Sequence, residues 1–111
     1  MKVELLYVHD CPNAMDYLPE LEALLRSVGM DDPVQLRLIE SHDQAVAERF
    51  LGSPTVRIDG ADVDPTAGDR TEYAVVCRLY RSSTGTSGRP PPDWVVSAAG
   101  RALERLRQGL S

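Results

Sequence analysis

The chain has 111 residues, with 12 Lys or Arg against 17 Asp or Glu and a formal charge of −5. That length fits one domain over residues 1–111, and the negative balance excludes non-specific nucleic-acid binding, which needs clustered cations. No run of about 18 apolar residues is present to span a membrane, and Met1-Lys2 leads straight into a strand pattern with no charged leader, so the two cysteines are expected in a reducing cytoplasm, free, catalytic or metal-bound.

Lys2 to Val8 is a short continuous apolar run, interrupted only by Glu4, and predicts a buried strand. Pro12 to about Gly29 predicts a helix. Met15, Leu18, Leu21 and Val28 recur at helical spacing, proline suits the first turn and Gly29 the stop. Pro19 lies inside this pattern and predicts a kink. Val34 to Ile39 alternates like a strand near a sheet edge, which makes a βαβ unit with parallel strands. Ser41-x-x-Gln44 resembles a capping box and opens a short helix to about Phe50. Pro54 to Ile58 predicts a third strand, and Asp59-Gly60 a turn into a short arm over Ala61 to Asp64. Pro65 to Glu72 is expected as a polar loop, the acidic stretch of Asp59, Asp62, Asp64, Asp69 and Glu72 as a solvated loop, and Tyr73 to Tyr80 as the last strand. Ser82 to Pro92 is expected as a loop, and Asp93 to Leu110 as a closing helix with Trp94 as its anchor and Leu106 on its apolar side. The order predicts an α/β fold: a βαβ unit followed by a ββ hairpin, giving a four-stranded mixed sheet with helices on both faces.

The motif with the most chemistry in it is Cys11-Pro12-Asn13-Ala14, set where the first strand hands over to the first helix. A thiolate there meets unpaired backbone N–H groups and the positive end of the helix dipole, provided solvent can reach it. With Pro19 eight residues after Cys11, and with Gly52-Ser53-Pro54-Thr55, this order resembles the thioredoxin superfamily. The resemblance implies a thioredoxin-like fold, a cis bond before Pro54 facing Cys11, and substrate contact through Pro12, Asn13, the Ser53 backbone and Pro54. More narrowly, the chain is similar to small bacterial thioredoxin-like proteins with a Cys-Pro-Asn motif, some of which are called alkylmercury lyases. The family's second motif cysteine is Ala14 here, which excludes a local Cys-x-x-Cys disulfide. What the resemblance leaves is monothiol chemistry: a mixed disulfide with a low-molecular-weight or protein thiol, a sulfenic acid, or a bond to a soft metal.

Cys77 has three readings: a partner that resolves a sulfenic acid or mixed disulfide at Cys11, a second thiolate for Hg(II), or a small hydrophobe in its strand. His9 reads as a proton carrier or a solvated strand end, and Asp10 as a neighbour that raises the Cys11 pKa. Tyr80 and Arg81 are expected on the rim near Cys11. No cofactor, zinc site or calcium loop is expected. Three functions follow: a monothiol redox protein, an organomercurial or soft-metal handling protein using Cys11 and Cys77, and a non-catalytic interaction scaffold.

Overall fold

The computed structural model describes residues 1–83 and 85–109. Thr84, in the expected loop, and Leu110, the expected end of the last helix, lie outside the described residues. The core of the fold is a four-stranded mixed sheet in the order β2-β1-β3-β4, made by β1 (Val3–Tyr7), β2 (Val34–Leu38), β3 (Thr55–Ile58) and β4 (Ala61–Asp62). β1 runs parallel to β2, with Leu5 opposite Leu36, and antiparallel to β3, with Leu5 opposite Val56. The parallel pair is joined by α1 (Pro12–Ser27), as a βαβ crossover requires.

Side chains alternate across β1 because its period is two. Val3 and Leu5 join Val56 and Ile58 on one face, under α1 and α3 (Pro92–Gly109), in a core that includes Tyr17, Leu21, Leu25, Val95 and Ala99. Leu6 and Val8 point to the other face, where Ala45 of α2 (His42–Ala47) and Phe50 cover them. Glu4 also faces that side. Its buried carboxylate is paired with Arg37 at 2.9 Å, which offsets the cost of desolvating it.

Helix ends follow local chemistry. Gly29, at φ +85°, ends α1 with its N–H donating to Arg26 O at 3.0 Å, while Met30 N–H donates to Leu25 O at 2.9 Å. Ser41 caps α2 by accepting from Gln44 N at 3.1 Å. The helix α1 continues through Pro19 and buries Ala14, Tyr17, Leu21 and Leu25, so Tyr17 takes the inward place expected of Met15, which is 44% exposed. Leu106 is also exposed, because α3 runs past the core after Ala102.

The chief correction lies between residues 73 and 87. The fourth sheet strand is the hairpin arm Ala61–Asp62, turned back at Asp59-Gly60, where both residues have positive φ. Val63 N–H extends that pairing to Val56 O. The free edge of β3 is thereby filled, and the expected strand over Tyr73 to Tyr80 has no ladder to join. It forms instead a strap across the N-terminal end of β3, with one isolated parallel bridge between Cys77 and Ser53, which precedes β3. A separate antiparallel pair, β5 (Tyr80–Ser82) with β6 (Gly85–Ser87), runs from the last residue of that expected strand into the expected loop. Among the described residues, no helix is long and apolar enough to cross a membrane.

Candidate functional site

Cys11 is the N-cap of α1, with extended backbone (φ −101°, ψ 102°) and Pro12 as the first helical residue. The Cys11 side chain makes no capping bond to the first turn. Its Sγ faces Ser53 O at 3.6 Å. It packs with Leu6, Val8, Ile39, Ala45 and Phe50 and is only 4% exposed. The solvent-accessible thiol expected at Cys11 is therefore not there: α2 and the strap close over it.

The accessible sulfur is Cys77. Both cysteines are free, Cys11 buried and Cys77 exposed. They meet through Ser53. Ser53 N–H donates to Val76 O at 2.8 Å, and Arg78 N–H donates to Ser53 O at 2.8 Å. The carbonyl facing the Cys11 sulfur is thus paired with the strap beside Cys77. A side-chain hydrogen bond with Cys11 is the leading cause of a raised Cys77 pKa, followed by burial and by the negative charges of Cys11 and Asp10. Ionising Cys77 would forfeit that hydrogen bond, so it holds its proton more firmly than an ordinary thiol.

The other expected site residues are distributed unevenly around this pair. The Ser53–Pro54 bond is cis, and both residues are buried. The Ser53 backbone, expected to be open to a substrate chain, is bonded to the strap, and its hydroxyl is buried without a hydrogen-bond partner. Pro12 is exposed at the helix start. Asn13 is half-buried against Gly88, where a Cβ would stand 2.6 Å from Asn13 Nδ2. Tyr80, expected on an open rim, is buried with its hydroxyl donating to Pro54 O at 2.5 Å. Arg81 is exposed but lines a different cavity from His9 and Asp10.

The residue that sequence reasoning missed is Arg78. Although next to Cys77, it is only 2% exposed. Its guanidinium is bonded to Asp62 at 2.8 Å, Asp64 at 3.0 Å and Thr55 Oγ1 at 3.0 Å, and lies 4.4 Å from the Tyr80 ring centre. The acidic stretch read as a solvated loop therefore supplies two partners for one buried cation. The signal was there: an arginine within Val75-Val76-Cys77-Arg78-Leu79 can be buried only against carboxylates. This clamp holds the strap down and, with it, Cys77.

Among the described residues, no group of three or more His, Cys, Asp or Glu side chains is placed to hold a metal ion. Compared with protein-family models, with curated proteins and with solved structures, the chain matches none of them.

Proposed function

We propose that the protein is a thiol–disulfide redox protein with a thioredoxin-like fold, working through Cys11 and Cys77 as a pair. The observation that carries this reading is the shared neighbour: Ser53 O faces the Cys11 sulfur at 3.6 Å, and Ser53 is bridged in parallel to Cys77. The thioredoxin-like likeness is supported by the strand and helix order and by Cys11 capping α1 beside the cis Ser53–Pro54 bond. The role left vacant by Ala14 falls to a cysteine far along the chain.

Access sets the roles. Cys77, exposed, is the sulfur that meets an incoming disulfide R–S–S–R. Its thiolate attacks one sulfur, the S–S bond breaks, and RS⁻ leaves. Cys11 then attacks the Cys77 sulfur of the mixed disulfide and expels the second RS⁻. The pair loses two electrons and two protons, and the disulfide becomes two RSH. In reverse, a thiol attacks the Cys77 sulfur of the disulfide, and Cys11 is expelled as a thiolate and takes up a proton.

Mass spectrometry after treatment with bis(2-hydroxyethyl) disulfide tests the proposal. The expected product is a Cys11–Cys77 disulfide, with a Cys11→Ala variant trapped as a mixed disulfide at Cys77. Thiols that stay free, or separate adducts on both cysteines, sink it. The same adjacency favours a second reading, Hg(II) held between two thiolates, since soft cations prefer thiolate ligands. Stoichiometric Hg(II) binding that each single Cys→Ala variant abolishes, without disulfide formation, would select it.

A further inference from the structure

We infer that the groove beside Cys77 admits positively charged small disulfides, and that the thiol pair exchanges with a cationic disulfide in preference to an anionic one. The inference rests on the redox reading of Cys11 and Cys77 and adds a substrate class to it. The strap has a cavity on each side. One, of about 290 Å³, is bounded by Cys77, by His9 and Asp10 from the loop that carries Cys11, and by Glu40 after β2. The other, of about 800 Å³, also meets Cys77 but touches no residue of the Cys11 loop. Only the smaller one borders both the exposed sulfur and the loop of the buried one.

Its charge has one sign. Asp10 and Glu40 are exposed, and neither has an ion-pair partner among the described residues. The lining holds no Lys or Arg, and His9 is its one other ionisable side chain besides Cys77. The cations near the strap are elsewhere. Arg78 is held by Asp62 and Asp64, Arg70 by Glu72 and Asp64, and Arg81 lines the larger cavity. Val8, Ile39 and Val76 supply apolar wall. The volume, about 290 Å³, lies just under the roughly 300–1,000 Å³ range of small-molecule sites, which suits a short disulfide arm rather than a folded partner. An ammonium on such an arm meets two unpaired carboxylates next to the reacting sulfur; a carboxylate on it meets two like charges.

The test uses the reduced full chain and three probes: cystamine (cationic), bis(2-hydroxyethyl) disulfide (neutral) and glutathione disulfide (anionic). The rate of Cys11–Cys77 disulfide formation is read by quenched alkylation and mass spectrometry. Each rate is divided by that of the same probe with 2-mercaptoethanol, which removes intrinsic reactivity. Cystamine should exceed glutathione disulfide by at least about tenfold, the low end of electrostatic steering, with the neutral probe between them. The Asp10→Asn/Glu40→Gln variant should lose most of that ratio. A Glu22→Gln/Asp31→Asn variant, with the same net charge but changed at the far end of α1, should keep it. Corrected rates within about twofold of each other, a faster anionic probe, or equal loss in both double variants would overturn the inference. A Cys11–Cys77 disulfide formed without charge ordering refutes this inference alone; no such disulfide with any probe refutes the redox reading beneath it.

Discussion

The amide of Arg78 donates to the carbonyl oxygen of Ser53 at 2.8 Å, so a buried cation is fastened to the backbone that faces the Cys11 sulfur. The strap therefore has two kinds of attachment. Backbone bonds at Ser53 set where Cys77 lies, and the Arg78 side chain, locked between Asp62 and Asp64, keeps it there.

Removing that lock should be costly. Arg78→Met leaves Asp62 without its cation and Asp64, 5% exposed, with only the longer Arg70 contact at 3.5 Å, and breaking a buried pair on one side costs about 3–5 kcal/mol. Urea titration should show a loss of that order, and disulfide formation between Cys11 and Cys77 should slow because the strap loses its register. A loss below about 1 kcal/mol, the range of exposed pairs, would mean that the clamp is not holding the strap.

Gly52 is the tightest point under the strap. It sits at φ +135°, and a Cβ there would stand 2.8 Å from the Arg78 Cβ. Gly52→Ala should destabilise by more than the roughly 1 kcal/mol of a backbone penalty alone. Gly60→Ala supplies the comparison, since Gly60 also has positive φ but nothing lies within 4 Å of its would-be Cβ. Equal unfolding midpoints for the two variants would contradict the close packing of Arg78 on Gly52.

The raised pKa of Cys77 should depend on Cys11. Cys11 contributes the leading hydrogen bond, so Cys11→Ala should move the Cys77 pKa down toward the ordinary thiol value of about 8.5. At about pH 8 more Cys77 is then thiolate, and iodoacetamide should label it faster than in the parent protein. An unchanged pH profile of labelling would separate the two sulfurs and remove the pair.

Acid stability should follow Asp64. Burial opposes its charge, but bonds from the Thr66 N–H and hydroxyl and the charge of Arg78 outweigh burial, so its carboxyl sits below the usual carboxylate range. A depressed folded-state pKa contributes stability above the unfolded value of about 3.9, and that contribution is lost as pH falls through the lower folded value. The parent protein should lose more urea resistance between about pH 6 and about pH 3 than Asp64→Asn does. Parallel curves for the two proteins would place the acid-sensitive group elsewhere.

Much of the architecture was legible in the chain because it is set by short-range chemistry. The apolar run before Cys11, the helical spacing after it, the Ser41 cap and the Asp59-Gly60 turn each act within a few residues, and each lies where its pattern points. Cys11 at the helix start was legible for the same reason. The fate of residues 73 to 80 was not. Their composition suits a strand, but a strand needs a free edge, and Ala61–Asp62 with Val63 had filled it. Only the folded chain decided that this segment would cross over Ser53, that Asp62 and Asp64 would bury an arginine, and that the exposed thiol would be Cys77 rather than Cys11. Those outcomes depend on residues 14 to 66 positions apart competing for the same edge and the same charge, and local pattern carries no record of that competition.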